Sequence, residues 1–380
     1  MPTPSDGGTI AILLNSMGAG GSERGMINLA GELANRGRSV MLVVVREEGP
    51  LRSLVDPRVE VVDFRAHAVV PALPALIRLL DARRPHVLLS ACANSNVVAV
   101  AAARLARASV RVVVCEPTTL SRVALDTRRV RHRLVPPAAR WAYPRADAVV
   151  AISDGVADDL ENALKIPRER VQVIPNPLTP GIFAAAAAAP QHPWLRDGGP
   201  PVLLSVARLT PAKDLPTLLQ AFARLRAVLP ARLLVLGEGE ERNRLEALVR
   251  RLGLGADIDL AGYVANPYPA MAAADAFVLS SQREGLPTVL LEALALGASI
   301  VATDCPSGPR EILQGGRLGR LAPPRDPAAL AEAMLAALAE RRSPRGPTDL
   351  ARYSVGAVAD RYLEVLDLGA VAASEGLVAA

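Results

Sequence analysis

The sequence predicts an α/β protein made of two doubly wound domains. Short, β-branched apolar runs alternate with helical patterns, as expected of parallel strands joined by helices. An Ala-, Pro- and Gly-rich stretch at residues 181–200 interrupts the alternation, which then restarts. A length of 380 residues also exceeds that of one typical domain. We therefore expect a first domain over residues 1–180, a linker over 181–200, a second domain over 201–354 and a C-terminal helix within 355–380.

The apolar runs are typical of strands that are buried on both faces. In the first half they lie at 9–15, 39–45, 86–91, 109–115, 148–153 and 171–176, with helical patterns at 22–36, 72–84, 95–107 and 154–164. In the second half they lie at 202–207, 231–237, 257–263, 276–281 and 299–304, again separated by helical patterns. The pattern at 355–368 predicts a last helix, which could pack on either domain.

The composition limits the class of protein but does not identify its binding partner. Hydrophobic residues make up 51% of the chain and the net charge is +5, which suits a folded protein that binds nucleic acid, anionic lipid or phosphorylated small molecules. Three isolated cysteines without a CxxC pair predict no disulfide framework and no zinc site, as in a reducing compartment. No signal peptide or membrane-spanning run is evident, so we expect a cytoplasmic protein that could still lie on a membrane surface.

The first strand runs into a glycine-rich loop. Gly20 and Gly21 allow a tight turn, and Ser22 is predicted to cap the following helix, whose free amides would attract an anion. Glu23 occupies the third glycine position of a dinucleotide-binding motif, and no Gly-Lys-Ser/Thr follows, so neither a GxGxxG nor a P-loop is present. A simple tight turn is the alternative to an anion or substrate site.

The first strand of the second half leads to two cations. Arg208 follows that strand, and Lys213, one of only two lysines in the chain, lies near a helix start marked by Pro211 and Asp214. Cations at a helix N-terminus are disfavoured unless an anion lies between them, and a diphosphate would satisfy both. The next strand ends in a turn at Gly237 that would line the same edge. The alternative for the two cations is a solvated turn.

Two glutamates flank a loop–helix junction further along. Glu284 lies in a loop shaped by Gly285 and Pro287, and Glu292 lies in an otherwise apolar helix predicted to begin at Thr288. A carboxylate in such a helix needs a cation, a backbone donor or a ligand hydroxyl, because burying an unpaired charge is costly. A structural buried ion pair is the alternative for Glu292.

A basic segment spans residues 127–147. It holds six arginines and no acid between Asp126 and Asp147, with Trp141 and Tyr143 among them. Basic residues with aromatics suit an anionic membrane surface, with the membrane-facing candidates Arg128, Arg129, Arg131, Arg133, Arg140 and Trp141. Phosphorylated acceptors and a solvated face remain alternatives. Nucleic acid is not expected, because no recognised binding motif is present.

Together these residues resemble the retaining glycosyltransferases of family 4, which have the GT-B fold, two Rossmann-like domains facing a central cleft. The resemblance runs from about residue 8 to about residue 368. Glu284 and Glu292 match the family's E-x7-E pattern within "SQREGLPTVLLEALALG", and Arg208 and Lys213 match its diphosphate-binding pair. "GAGGSER", "AYPRADAVVAISDGVADDL" and "VIPNPL" are similar to its first-domain motifs. The last helix resembles the family's, which crosses back to the first domain.

The resemblance implies a nucleotide-sugar donor held mainly by the second domain. Arg208 and Lys213 would neutralise the diphosphate, Glu284 would bind sugar hydroxyls and Glu292 the ribose hydroxyls. The other donor-binding candidates are Gly20, Gly21, Gly237, Tyr263, Val264, Gly285, Leu286, Pro287 and Thr288. The implied mechanism is front-face displacement with retention, in which Arg208, Lys213 and Glu284 act at the reacting centre. No metal or other cofactor is expected, since no DxD motif is evident.

The residues expected on the acceptor side match the family pattern less well than those on the donor side. Several relatives carry a histidine after the strand that ends here at Cys115, where this chain has Glu116-Pro117-Thr118-Thr119. Glu116, Thr118 and Ser22 are therefore the acceptor-side candidates, and a catalytic role for Glu116 is left open. The motifs look most like bacterial enzymes that build cell-surface glycans, which favours a UDP-hexose or UDP-N-acetylhexosamine donor, a glycan or polyprenyl-diphosphate-linked acceptor, and a peripheral place on the inner face of the cell membrane.

Two other functions are compatible with the same motifs. A GT-B-type nucleotide-sugar epimerase would act on the donor alone. A non-catalytic nucleotide-sugar-binding subunit would bind the donor without turnover, although the intact set of Arg208, Lys213, Glu284 and Glu292 argues against it.

Overall fold

A computed structural model describes residues 8–18, 20–121, 135–196, 198–340 and 347–368. The chain divides into two compact units, each with its own sheet. The first comprises Met1–Ile152, Ala157–Pro177 and Arg352–Ala380, and the second comprises Ser153–Val156 and Leu178–Ala351. Residues 181–200, predicted to be a linker, belong to the second unit and contain one short helix and one 3-10 turn.

The helices of the described residues follow the predicted patterns closely. In chain order they are α1 (Gly21–Asn35), α2 (Leu73–Arg83), α3 (Ala93–Leu105), α4 (Val135–Ala142), α5 (Asp154–Leu164), α6 (Ile182–Ala186), α7 (Leu215–Arg226), α8 (Arg242–Leu252), α9 (Tyr268–Ala273), α10 (Thr288–Ala295), α11 (Pro309–Ile312), α12 (Pro327–Ala339) and α13 (Val355–Val365). Short 3-10 helices lie at Pro50–Leu54, Tyr143–Arg145, Arg168–Arg170, Pro193–Leu195, Pro211–Lys213, Gln314–Gly316 and Pro347–Tyr353.

The first unit holds a seven-stranded parallel sheet. Its strands are β1 (Ile10–Leu14), β2 (Val40–Val44), β3 (Glu60–Asp63), β4 (Val87–Ala91), β5 (Arg111–Glu116), β6 (Ala148–Ala151) and β7 (Val171–Val173). They lie in the order β3-β2-β1-β4-β5-β6-β7. β1, β2 and β4 are buried along their whole length, which explains their continuous apolar sequences.

The second unit holds a six-stranded parallel sheet in the order β10-β9-β8-β11-β12-β13. Its strands are β8 (Val202–Val206), β9 (Arg232–Leu236), β10 (Ile258–Gly262), β11 (Ala276–Leu279), β12 (Ser299–Thr303) and β13 (Arg320–Ala322). Its core is covered by α7, whose buried Leu218, Phe222 and Leu225 recur at spacings of four and three residues. That spacing places them in one stripe facing the sheet.

The last helix is fixed to the first unit by arginines. The Arg36 guanidinium forms an ion pair with Asp360 and donates to the Gly356 carbonyl at 2.9 Å. Arg111 donates to the Val365 carbonyl at 3.1 Å, and Arg38 donates to the Leu368 carbonyl at 2.5 Å. Cations at the helix C-terminus satisfy its unpaired carbonyls and complement its dipole.

The predicted α/β class with two doubly wound domains is confirmed, and two edge strands were not predicted. β3 is only half-buried, and β13 has three residues, of which Arg320 and Leu321 are half-buried. Neither produces the continuous apolar run that marked the central strands, because an edge strand has one neighbour and more contact with water.

Candidate functional site

Two loops of the second unit meet at a switch point of its sheet. β8 and β11 are neighbours, but the chain leaves β8 towards β9 and leaves β11 towards β12, on opposite sides. Such a divergence opens a crevice at the carboxyl ends of parallel strands, where ligands bind in this fold class. The loop after β8 carries Arg208 and Lys213, and the loop after β11 carries Glu284.

The structure joins two of the predicted residues directly. The Lys213 Nζ lies 2.6 Å from the Glu284 Oε1, and the two side chains are only 18% and 11% exposed. The Ser281 hydroxyl donates to the same oxygen at 2.6 Å. The buried Cys305 thiol lies near this pair, and burial together with the Glu284 charge raises its pKa to about 12.

Backbone contacts hold the two loops against each other. The Gln282 amide donates to the Ala212 carbonyl at 2.9 Å, and the Ser280 hydroxyl donates to the Lys213 carbonyl at 2.8 Å. The Thr303 hydroxyl, at the end of β12, donates to the Ser281 carbonyl at 2.5 Å. The loops that carry Lys213 and Glu284 are therefore hydrogen-bonded to each other, which fixes the positions of the two residues.

Arg208 lies in an exposed position beside a glycine turn. Its side chain is exposed, so the guanidinium is available to a ligand. Gly237, after β9, has φ of 145°, and a Cβ built there would lie 1.9 Å from the Ala207 carbonyl oxygen. Only glycine allows the loops after β8 and β9 to approach this closely.

Glu292 is buried on α10 and is held by protein hydroxyls. It is 7% exposed, between buried Leu291 and Ala293. Thr179 Oγ1 donates to Glu292 Oε1 at 2.6 Å, and the Tyr268 hydroxyl contacts the same oxygen at 3.1 Å. Hydroxyl donors from the protein were not among the partners that the sequence suggested for this carboxylate.

The remaining donor-side candidates lie around the same edge. Tyr263 follows β10 and is 51% exposed, whereas Val264 is half-buried. Thr288 is the first residue of α10, as predicted. The residues before it, Gly285, Leu286 and Pro287, are buried, and the Ser307 hydroxyl donates to the Gly285 carbonyl at 2.7 Å.

The glycine loop of the first unit differs from prediction at Ser22. Gly20 is the N-cap of α1 and Gly21 is its first residue, so Ser22 lies inside the helix and does not cap it. A Cβ at Gly20 would lie 2.0 Å from Glu23 Oε2, because that acidic side chain folds over the first turn. The prediction that Ser22 caps the helix was wrong, because the N-cap of α1 lies two residues earlier, at Gly20.

Glu116 is completely buried at the end of β5. Its Oε1 accepts hydrogen bonds from the Thr118 amide at 3.0 Å and hydroxyl at 2.7 Å, and its Oε2 accepts one from the Tyr143 hydroxyl at 2.5 Å. Burial raises the pKa of Glu116 to about 7, although these bonds lower it. Asn96 donates to the Tyr143 hydroxyl at 2.9 Å. This burial favours a supporting role for Glu116 over direct contact with an acceptor.

The basic segment is only partly described. Arg128, Arg129, Arg131 and Arg133 lie outside the described residues. Trp141 on α4 is 43% exposed and lies under the Arg145 guanidinium, 5.1 Å from the ring centroid, while Arg140 donates to the Ala163 carbonyl at 2.7 Å. Tyr143 was predicted to be an interfacial aromatic. It is instead buried, and its hydroxyl donates a hydrogen bond to the buried Glu116 carboxyl group.

The cysteines, acidic groups and helices of the described residues bear on the other predicted features. All three cysteines are free thiols. Within residues 8–18, 20–121, 135–196, 198–340 and 347–368, no group of three or more His, Cys, Asp or Glu side chains could hold a metal ion. Over the same ranges, no helix combines the length and apolarity needed to cross a bilayer.

Two family models match the chain, one in each half. The model described as Glycosyltransferase Family 4 matches residues 19–180, and the model described as Glycosyl transferases group 1 matches residues 191–352. The chain belongs to glycosyltransferase family 4. The recognition made from the sequence motifs is thereby confirmed.

Curated relatives of this family 4 glycosyltransferase are themselves named as glycosyltransferases. An N-acetylgalactosamine-N,N'-diacetylbacillosaminyl-diphospho-undecaprenol 4-alpha-N-acetylgalactosaminyltransferase of Campylobacter jejuni is 34% identical over 179 residues, 47% of each chain. The lipopolysaccharide core biosynthesis glycosyltransferase LpsE of Rhizobium meliloti is 33% identical over 234 residues, 60% of this chain and 66% of that protein. The chain spans about half the length of the curated relatives it matches.

Solved structures of glycosyltransferases share the fold. HepE of Anabaena, solved in complex with UDP and glucose, has a TM-score of 0.77 at 20% identity, covering 95% of this chain and 99% of HepE. WaaG, a glycosyltransferase involved in lipopolysaccharide biosynthesis, has a TM-score of 0.70 at 19% identity, covering 94% of this chain and 97% of WaaG. The predicted GT-B fold, with two Rossmann-like domains, is confirmed.

The motifs of this family 4 glycosyltransferase did not reveal every residue of the site. Ser281 lies three residues before Glu284 and could have been found from its spacing to that carboxylate. Thr179 and Tyr268 lie 113 and 24 residues from Glu292, so no local pattern connects them to it. Their proximity is a product of the fold.

Proposed function

We propose that this protein transfers a sugar from a nucleotide-sugar donor to a glycan or polyprenyl-diphosphate-linked acceptor during synthesis of a cell-surface polysaccharide. The observation that carries the proposal is the contact between Lys213 and Glu284 at the switch point of the second sheet. It pairs a cation suited to a diphosphate with a carboxylate suited to sugar hydroxyls. Membership of family 4 and the names of the relatives support the same activity.

The donor in this proposal is a UDP-hexose or UDP-N-acetylhexosamine. HepE, which shares the fold, was solved with UDP and glucose, and this supports a UDP-sugar. Arg208 and Lys213 bind the diphosphate, Glu284 binds the sugar and Glu292 binds the ribose. Tyr263 is half-exposed and could contact the base. The mainly buried loop 285–287 would reach a ligand through backbone groups.

The proposed reaction retains the anomeric configuration and uses no metal. The acceptor hydroxyl attacks the anomeric carbon from the face that the diphosphate leaves, and a diphosphate oxygen takes the hydroxyl proton. The bond from the anomeric carbon to that diphosphate breaks as the new glycosidic bond forms. Negative charge grows on the leaving group, so Arg208 and Lys213 stabilise the transition state more than the ground state.

The proposed acceptor places the protein at the inner face of the cell membrane. The name of the Campylobacter relative contains a diphospho-undecaprenol carrier, which supports a lipid-linked acceptor. In the first unit, Trp141 and Arg145 present an aromatic ring and a cation together on the surface. Such a pair suits the interface of an anionic membrane.

The test is transfer from labelled UDP-sugars to an undecaprenyl-diphosphate glycan, followed by NMR of the product. Release of UDP together with an α-linked product from an α-linked donor supports the proposal. Conversion of donor in the absence of acceptor would replace it with an epimerase. Donor binding without turnover across a panel of acceptors would replace it with a binding subunit. An inverted linkage would reject retention alone.

A further inference from the structure

Two hydroxyls from parts of the second unit that are distant in sequence form hydrogen bonds with the Glu292 carboxylate. Thr179 lies in the segment before α6, and Tyr268 is the first residue of α9, whereas Glu292 lies in the middle of α10. Both hydroxyls contact the same oxygen, Oε1, at 2.6 and 3.1 Å. Two donors on one oxygen fix both the rotamer and the plane of a carboxylate more tightly than one does.

The Tyr268 end of this arrangement is itself held in place. Tyr268 is 5% exposed, and its amide donates to Asn266 Oδ1 at 3.3 Å. Asn266 in turn donates to the Ala185 carbonyl of α6 at 2.9 Å. A chain of contacts therefore runs from α6 through Asn266 and Tyr268 to Glu292. The same short segment, 178–186, supplies Thr179 at its other end.

We propose that Thr179 and Tyr268 are positioning residues that orient Glu292 for recognition of the donor ribose. The proposal rests on the proposed function, in which Glu292 binds ribose hydroxyls. A ribose diol needs an acceptor in a defined plane, and α10 offers an otherwise apolar surface that cannot orient a carboxylate. The hydroxyls of Thr179 and Tyr268 supply that orientation as neutral hydrogen-bond donors to one carboxylate oxygen.

The experiment compares the affinities of UDP and 2′,3′-dideoxy-UDP by calorimetry. Wild-type protein should bind UDP at least about tenfold more tightly, since hydrogen bonds to a charged group discriminate strongly. Tyr268→Phe and Thr179→Val should each weaken UDP binding by about three- to tenfold while leaving the dideoxy analogue within about twofold. Thr179→Ser keeps the hydroxyl and should restore the wild-type ratio.

The matched control is Tyr362→Phe, which removes a buried tyrosine hydroxyl from the first unit and should change neither affinity. Each variant is first checked for an unchanged melting temperature, and these near-isosteric changes are chosen to preserve folding. An equal loss of affinity for both nucleotides, or a wild-type ratio in the variants, would overturn the positioning role alone. A wild-type protein that does not distinguish the two nucleotides would overturn the ribose role of Glu292 as well.

Discussion

The Lys213 ammonium and the Glu284 carboxylate are in contact at 2.6 Å, and both side chains are largely buried. Ser281 adds a second hydrogen bond to the same Glu284 oxygen. Each side chain compensates the charge of the other, since an unpaired charge at this depth would be costly. In the proposed donor complex, the diphosphate would share the Lys213 ammonium while the sugar engages Glu284.

Lys213→Ala should reduce the turnover of sugar transfer by about 10²- to 10³-fold, because the cation that stabilises the leaving diphosphate is lost. The measurement is kcat with saturating donor and acceptor. Lys165→Asn is the matched control, since it removes the only other lysine, at an exposed position with φ of 59° that asparagine tolerates. Full activity in Lys213→Ala would reject the diphosphate role.

Gly237→Ala should destabilise the second unit by about 2–4 kcal/mol and weaken UDP binding. The new Cβ would overlap backbone atoms, which can move aside only by distorting the neighbouring loop. The built Cβ lies 1.9 Å from the Ala207 carbonyl oxygen, at φ of 145°. Gly253→Ala is the control: its φ is 71° but nothing lies within 4 Å. It should cost only about 1–2 kcal/mol, the penalty of a left-handed backbone. Thermal unfolding of the two variants measures the contrast, and equal melting temperatures would contradict it.

The central strands and the donor motifs were predictable because each depends on local sequence. β1 and β8 are short, continuous apolar runs, and Glu284 and Glu292 lie in one unbroken motif. The half-buried edge strand β13 lacks such a run, so its pairing with β12 is visible only in the folded sheet.

Burial of individual polar side chains was the least predictable feature. Tyr143 lies among arginines in sequence, which suggested a surface position, but its hydroxyl turns inward to Glu116. The partners of Glu292 are equally non-local. A sequence window records composition and spacing, whereas these contacts are decided by which elements pack together.

Replacing both Trp141 with Ala and Arg145 with Gln should weaken binding to phosphatidylglycerol vesicles by about tenfold, since a basic residue near an anionic surface contributes about 1 kcal/mol and the indole adds more. Co-sedimentation measures the partition coefficient. Converting Arg128, Arg129, Arg131 and Arg133 to Gln should produce a larger loss. The control is a double variant that combines Val228→Ala with Arg250→Gln. Both residues are exposed and lie in the second unit. Unchanged sedimentation of the Trp141 and Arg145 variant would reject a membrane role for this pair.

Glu116 should make the stability of the first unit depend on pH. Its folded pKa of about 7 exceeds the ordinary value of 4.5, so the folded chain holds a proton that the unfolded chain releases. The stabilisation is complete below about pH 4.5 and is lost as the pH rises towards 7. A shift of this size corresponds to about 3 kcal/mol. Tyr143, Thr118 and Asp159 also act on this carboxyl, the first two by hydrogen bonds and Asp159 by repulsion.

Glu116→Gln removes the titration while keeping an oxygen that can accept from Thr118. The free energy of unfolding of wild type minus that of Glu116→Gln should therefore fall by about 2.5 kcal/mol between pH 5 and pH 8. Urea unfolding at several pH values measures this difference, in which groups far from Glu116 cancel. The sign is informative, because a carboxylate held ionised by its hydrogen bonds would instead make wild type relatively more stable as the pH rises. A difference that does not change with pH would mean that burial and the Tyr143 and Thr118 bonds balance at this site.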